Sequence, residues 1–135
     1  MSPPLEIRSL HQVAVPSSHL ARSVAFYRDV LGLPLIAEYS PPGLAFFALG
    51  GTRLLVELAR EAKPAAGVLY FRVADIHAAA RELEARGVVF DSGPHCIFPD
   101  AAGTFGAAGE EEWMAFFRDP DGNVLALATR LRPGS

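Results

Sequence analysis

One pattern of predicted secondary structure occurs twice along the chain, and this repeat constrains the fold more than any other feature. Each copy begins with a short β-prone run, continues into an amphipathic helix that a glycine closes, and ends in further strands. Gln12 and Val68 open corresponding strands, and Leu20 and Ile76 open the helices that follow them at the same offset. A repeated β-α-β-β-β pattern predicts an α+β protein built from two similar units.

The first copy contains one predicted helix and three further strands. An apolar stripe at helical spacing marks the helix, at Leu20, Val24, Tyr27 and Leu31. Gly32 is expected to end it, because glycine readily adopts the left-handed conformation that closes helices. Apolar and alternating runs predict strands at Pro34–Tyr39, Leu44–Leu49 and Thr52–Leu58. Gly50 and Gly51 predict a tight hairpin between the last two strands.

The second copy follows a predicted linker at Arg60–Gly67. Val68–Val73 is predicted to be a strand, Asp75 to cap the second helix, and Gly87 to close that helix. A hairpin around the turn residues Asp119–Gly122 is predicted to complete the unit. Its two strands are expected at Trp113–Arg118 and Asn123–Thr129.

The boundaries of the units follow from this repeat. We expect one domain at 5–131, with its first unit at about 10–59 and its second at about 67–130. Only Ser92–Glu112 lacks a clear pattern, and its three glycines favour an irregular loop. Such a loop is expected to be a mobile lid over a binding site.

Composition argues against several classes of protein. The formal net charge is −3 among 135 residues, with no basic run that would bind nucleic acid. No apolar stretch reaches the roughly 18 residues that cross a membrane, and Met1–Pro4 does not resemble the start of a signal peptide. Cys96 is the one cysteine, so no internal disulfide can form, and it is expected to be a buried small residue. A cytoplasmic protein is therefore expected.

Two segments carry a resemblance to a known family. Phe26-Tyr27-Arg28-Asp29-Val30-Leu31-Gly32 and Asp119-Pro120-Asp121-Gly122-Asn123 resemble the helix end and the final hairpin of the vicinal-oxygen-chelate superfamily, which includes glyoxalases, bleomycin-resistance proteins and extradiol dioxygenases. The resemblance implies that the two tandem βαβββ units form an open, cup-shaped mixed sheet. It also implies a small-molecule ligand, and in metal-dependent members a divalent ion held by four inward side chains.

The four implied ligand positions can be located in this sequence. They fall on Gln12, Glu57, Val68 and Ala126. Amide and carboxylate oxygens can bind a divalent metal, whereas valine and alanine side chains cannot. Gln12 and Glu57 would be the metal ligands of any partial site. No cofactor is therefore expected, and the alternative is a weakly bound divalent metal.

Other residues are candidates for a binding or catalytic site. Tyr70 and Arg72 share the strand face of Val68 and are expected to bind a carbonyl or anionic group. His95 is a candidate general base or replacement metal ligand, and Glu57 a candidate general base. Three aromatic residues are candidates for a wall against an apolar ligand: Phe47, Trp113 and Phe116. Each of these residues also fits a structural role.

Two classes of function remain open at this point. The first is a protein that binds a small molecule in a cup without a complete metal site, as in the bleomycin-resistance branch. The second is an enzyme: a metal-dependent lyase, isomerase or dioxygenase with a rearranged site that includes His95, or a metal-free enzyme that uses Glu57 or His95. A homodimer is expected, because the resemblance implies that a second chain often completes or flanks the cup.

Overall fold

The computed structural model describes residues 5–61 and 63–134. Met1–Pro4, on which the expectation about a signal peptide rests, lies outside this part. The chain divides into two compact units, Met1–Lys63 and Pro64–Ser135. The division falls inside the predicted linker. Within the described residues, no helix is long and apolar enough to cross a membrane.

The first unit is a four-stranded mixed sheet with one helix. Its strands are β1 (Gln12–Ser17), β2 (Leu35–Tyr39), β3 (Leu44–Leu49) and β4 (Thr52–Leu58). Their order is β1-β4-β3-β2, with β1 parallel to β4 and the other pairs antiparallel. Helix α1 (Leu20–Ala25) continues into a π-helical turn at Phe26–Val30. Gly32 follows with φ 76°, as the prediction of a glycine helix end requires.

The second unit repeats this arrangement. Its strands are β5 (Leu69–Arg72), β6 (Ser92–Asp100), β7 (Glu110–Arg118) and β8 (Val124–Leu131). Their order is β5-β8-β7-β6, with β5 parallel to β8. Helix α2 (Ile76–Ala85) is capped by Asp75, whose carboxylate accepts a hydrogen bond from the backbone N–H of Ala78 at 3.0 Å. The α+β class and the two βαβββ units are therefore confirmed.

Each helix covers one face of its own sheet. The ring centroids of Tyr27 and Phe47 lie 5.8 Å apart in the first unit, and those of His77 and Trp113 lie 5.4 Å apart in the second. Because side chains alternate along a strand, these contacts assign the residues of the regular strands to the helix-packed face or to the opposite one. In β2 and β6, where register shifts interrupt the alternation, the paired residue on the neighbouring strand gives the face. We call the opposite face of each sheet its helix-free face.

The Asp119–Asn123 motif has a structural role. The Asp119 carboxylate accepts hydrogen bonds from the backbone N–H groups of Asp121 and Asn123, both at 2.9 Å. The Asn123 amide donates to that carboxylate at 2.7 Å, and its oxygen accepts from the N–H of Ala65 at 2.7 Å. The motif therefore shapes the β7–β8 turn and fastens the start of the second unit to it.

The expectation that Ser92–Glu112 is an irregular loop is wrong. Its first nine residues form β6 and its last three belong to β7, which leaves only residues 101–109 outside the strands. Two prolines and two register irregularities interrupt the strand pattern in β6. An edge strand tolerates both, because one side of its backbone has no partner strand. The expectation of a mobile lid can therefore apply only to residues 101–109.

Cys96 also differs from expectation, since its side chain is exposed rather than buried. It lies on the edge strand β6, where it pairs with Trp113 of β7. Partial desolvation by the groups around it raises the pKa of the Cys96 thiol, and the neighbouring Glu111 carboxylate raises it further. The thiol therefore stays protonated at neutral pH, so a nucleophilic role is not supported.

Candidate functional site

The register of the second sheet builds two adjacent rows on its helix-free face. Each row crosses the four strands in the order β5, β8, β7, β6. The first row consists of Tyr70, Ala126, Phe116 and Ser92, and the second of Arg72, Ala128, Met114 and His95. Two alanines of β8 thus form a shallow floor between larger side chains.

Two aromatic side chains of the first row, Tyr70 and Phe116, contact each other. The rings of Tyr70 and Phe116 are 6.2 Å apart, with an angle of 82° between their planes, a favourable edge-to-face arrangement. Ala126 lies between them on the middle strand and is 0% exposed. Tyr70 itself is 54% exposed. One aromatic surface is therefore left available to a ligand.

His95 ends the second row with a defined orientation. Its ring centroid lies 6.4 Å from that of Phe116, and its Nδ1 lies 2.7 Å from the carbonyl oxygen of Gly93. A carbonyl oxygen can only accept, so Nδ1 carries the proton in this hydrogen bond. In the neutral ring, Nε2 is then the acceptor. It is the atom through which His95 would act as a base or as a hydrogen-bond acceptor.

Arg72 begins the second row at the other end. Its side chain is exposed on the edge strand β5. Within the described residues it forms no ion pair. A guanidinium in this state can bind a carboxylate or phosphate through two parallel hydrogen bonds.

Arg130 lies one row further along β8 and is surrounded by carboxylates. It donates to Asp100 at 2.8 Å, to Glu110 at 3.0 Å and to Glu112 at 2.7 Å. Its side chain is 10% exposed and that of Asp100 is 0% exposed. These hydrogen bonds raise the pKa of Arg130. Residues 110–112, which fall at the end of the predicted irregular stretch, belong to β7, and two of them bind Arg130.

Asp100 holds the following segment, residues 101–109, through hydrogen bonds to its backbone. Its carboxylate accepts hydrogen bonds from the N–H of Thr104 at 2.8 Å and of Phe105 at 3.0 Å. Burial opposes ionisation of Asp100. The N–H of Phe105, the Arg130 guanidinium and the N–H of Thr104 outweigh that effect and lower its pKa. The segment is therefore tied at several points to the end of the β6–β7 hairpin.

The first sheet presents a separate set of residues on its helix-free face. The guanidinium carbon of Arg53 lies 5.7 Å from the centre of the Phe46 ring, a cation–π distance. Tyr39 packs edge to face against Phe46 at 6.1 Å. Glu57 is exposed on this face, opposite Pro16 and Leu44. Its assignment as a catalytic residue stays a prediction.

Gln12 and Glu57 do not converge on one point. Gln12 pairs with Arg53, whereas Glu57 pairs with Pro16. Four residues of parallel strand, about 13 Å, therefore separate Gln12 from Glu57. Side chains that stand perpendicular to a sheet do not meet over that distance.

The metal site that the resemblance implies does not fit these residues. Val68 and Ala126 carry no ligand atoms, and Ala126 lies between the two aromatic rings. Gln12 Oε1 is buried and accepts no hydrogen bond from any described residue, but Glu57, the other implied oxygen ligand, lies four residues further along the paired strands. Across residues 5–61 and 63–134, no group of three His, Cys, Asp or Glu residues is placed to hold a metal. His95 therefore has no such companions either.

The three proposed wall aromatics are not brought together. Phe47 is 0% exposed and packs in the core against Tyr27. Trp113 lies on the helix-packed face beside His77 and donates to Glu111 at 3.1 Å. Only Phe116 lies on a helix-free face. Trp113 and Phe116 are three residues apart on one strand, so alternation alone places them on opposite faces.

Sequence reasoning missed Phe46, Arg53, Met114 and the floor residue Ala128. A signal for Phe46 was present. The Gly50-Gly51 turn sets the hairpin register, in which Phe46 pairs with Leu55 and shares its face with Glu57. The Arg130 cluster, which is Arg130 with Asp100, Glu110 and Glu112, had no comparable signal in the sequence. Its carboxylates come from residues 18 to 30 positions away in the chain.

Fold and register thus define a protein of two βαβββ units with residues suited to a small molecule on a helix-free sheet face. The family model described as Glyoxalase/Bleomycin resistance protein/Dioxygenase superfamily matches residues 9–127. The chain belongs to this superfamily.

Individual relatives agree with this assignment. The uncharacterized protein YraH of Bacillus subtilis (strain 168) is 27% identical in an alignment 135 positions long. This alignment covers 87% of this chain and 95% of YraH. TnmS3, an antibiotic binding protein from Streptomyces sp. CB03234, is 25% identical with a TM-score of 0.70, over 92% of this chain and 97% of that one. A lactoylglutathione lyase from Agrobacterium tumefaciens is 24% identical with a TM-score of 0.69, over 93% and 94% of the two chains, and shows the shared fold.

Proposed function

We propose that this protein binds an aromatic small molecule, without a metal, on the helix-free face of its second sheet. The observation that carries the proposal is the Tyr70–Phe116 pair, in which Tyr70 is exposed, with Arg72 and His95 in the next row of the same face. An apolar surface with a few polar anchors is the usual composition of a small-molecule site. We also place the protein in the cytoplasm as part of this proposal.

The residues at the four implied metal-ligand positions support small-molecule binding over metal-dependent catalysis. Of the four positions that hold the ion in metal-dependent relatives, two are apolar here and the other two lie about 13 Å apart along the strands. The similarity to TnmS3 supports the same choice, since TnmS3 is an antibiotic binding protein. Sequestration of an aromatic compound is therefore the activity that we propose.

A second candidate is a metal-free enzyme with His95 as general base. The observation in its favour is the hydrogen bond from Nδ1 to Gly93, which leaves Nε2 of the neutral ring free to accept a proton. Glu57 would be the other candidate base. Turnover of a bound compound that stops in His95→Gln, with binding retained, would favour this candidate over simple sequestration.

The proposal is tested with a neutral aromatic probe, naphthalene-2-carboxamide, by calorimetry and methyl NMR. Binding is expected to shift the methyl signals of Ala126, Ala128 and Met114. Phe116→Ala is expected to weaken binding by about tenfold, or about 1.4 kcal/mol. Tyr39→Ala, which removes an exposed ring from the first sheet, is the matched control. Methyl signals that stay in place at millimolar probe would overturn the proposal.

Metal content is a second test. The protein purified without chelators is expected to carry far less than one equivalent of divalent metal, and EDTA is expected to leave probe binding unchanged. Elemental analysis that finds close to one equivalent, lost in both Gln12→Ala and Glu57→Ala, would contradict the metal-independent assignment.

A further inference from the structure

We infer that the ligand class is an aromatic acid with a hydroxyl group at the end opposite its acidic group. Arg72 would bind the anion, the Tyr70–Phe116 pair and the alanine floor would contact the rings, and His95 would accept a hydrogen bond from the hydroxyl. This inference rests on the proposed function and deepens it, because it assigns one chemical group to each end of the second row.

The charge balance of the face points to an anion at Arg72. Three arginines occupy this face, and two of them already have partners. Arg130 binds three carboxylates, and Arg118 binds Asp91 at 3.0 Å. Arg72 alone has no ion pair within the described residues. A guanidinium beside an aromatic surface suits a carboxylate attached to a ring. The guanidinium can bind the carboxylate while the ring of the ligand contacts the aromatic side chains.

The orientation of His95 points to a donor at the other end. Nδ1 is committed to the carbonyl of Gly93 at 2.7 Å, so Nε2 of the neutral ring can only accept. A phenolic hydroxyl is a suitable donor, because it is part of an aromatic ring and stays protonated near neutral pH.

The distance between the two ends fits a molecule of two fused rings. Arg72, Ala128, Met114 and His95 follow one another on four neighbouring strands. Three strand spacings put the backbones of Arg72 and His95 about 14 Å apart. The His95 ring lies toward the centre of the face, 6.4 Å from Phe116. An arginine side chain that extends inward from β5 would leave room for two fused rings above Ala128.

The test compares four probes of nearly equal shape by calorimetry: naphthalene-2-carboxamide, 2-naphthoate, 2-naphthol and 6-hydroxy-2-naphthoate. In the parent protein, 2-naphthoate is expected to bind about tenfold or more tightly than the carboxamide, as a charge-assisted hydrogen bond implies. In Arg72→Gln this preference is expected to fall to near one, because the guanidinium that favours the anion is gone. Arg81→Gln, which removes an exposed arginine from α2, is the matched control.

The hydrogen bond from the ligand hydroxyl to His95 is tested in the same way. The parent is expected to prefer 6-hydroxy-2-naphthoate over 2-naphthoate by severalfold, and His95→Phe is expected to lose this preference while it keeps a ring beside Phe116. If the parent binds carboxamide and naphthoate equally, or if Arg72→Gln keeps the preference for the acid, the inference fails and the proposed function stands. If none of the four probes shifts the methyl signals of this face, both fail.

Discussion

The rings of Tyr70 and Phe116 meet edge to face at 6.2 Å across Ala126, a residue that is completely buried between them. The three side chains come from three neighbouring strands in one row. Ala126 is also one of the four metal-ligand positions that the family resemblance implies. In this protein the aromatic pair occupies the space that such a side chain would need.

Restoration of that ligand should therefore damage the fold. Ala126→Glu would push a carboxylate between two rings, and we expect it to lower the free energy of unfolding by more than about 2 kcal/mol through overpacking and loss of hydration. Ala128→Glu is the control. It lies two residues further on the same face, is partly exposed and faces Arg72, so its cost should stay below about 1 kcal/mol. Urea unfolding measures both, and equal costs would contradict the role of the aromatic pair.

The Arg130 cluster should contribute more to stability than an exposed ion pair. Arg130→Met leaves the buried carboxylate of Asp100 without its cation, and we expect the melting temperature to fall by several degrees. Arg118→Met breaks the exposed pair with Asp91 and should change it little. Thermal unfolding followed by circular dichroism compares the two variants. A larger effect of Arg118→Met would show that the cluster has no special importance.

Asp100 should make stability depend on acidic pH. Its folded-state pKa is lowered, so the stability that it confers is complete above the unfolded value of about 3.9 and is lost as pH falls through the lower folded value. We expect the parent to lose stability below about pH 4 more steeply than Asp100→Asn, because only the parent has a carboxylate to protonate at this position. Asp91→Asn, at a half-exposed carboxylate, serves as control. Parallel profiles for the parent and Asp100→Asn would contradict this assignment.

Cys96 should be accessible but slow to react. Partial desolvation and the neighbouring Glu111 raise the pKa of its thiol, which lowers the thiolate fraction at pH 7. Glu111→Gln removes one of these causes and should speed alkylation by iodoacetamide a few-fold, as measured by mass spectrometry. Glu84→Gln on the exposed side of α2 should leave the rate unchanged, and an unchanged rate in Glu111→Gln would show that its charge does not act on Cys96.

The homodimer stays a proposal that rests on the family resemblance. Light scattering at micromolar concentration is expected to give twice the mass of one chain, with C2 symmetry as the simplest arrangement. A monomeric mass across that concentration range would refute it.

The sequence by itself determined the repeat, the ends of the two helices and most of the strands. Gly32 and Gly87 close the two helices with positive φ values of 76° and 94°, and Asp75 caps α2. The strands Leu44–Leu49 and Thr52–Leu58 have the predicted bounds. These features depend on neighbouring residues and on periodicity, so local sequence is sufficient to predict them.

Only the tertiary structure decided which side chains face one another. Pairing of β6 with β7 turned the apparent irregular loop into an edge strand, and the parallel register of β1 and β4 separated Gln12 from Glu57. The same pairing rows brought Arg72, Ala128, Met114 and His95 onto one line, and Arg130 to three distant carboxylates. Register is a long-range property, and a shift of one residue moves every side chain of a strand to the other face. The helix-free site therefore follows from how the strands pair rather than from any motif along the chain.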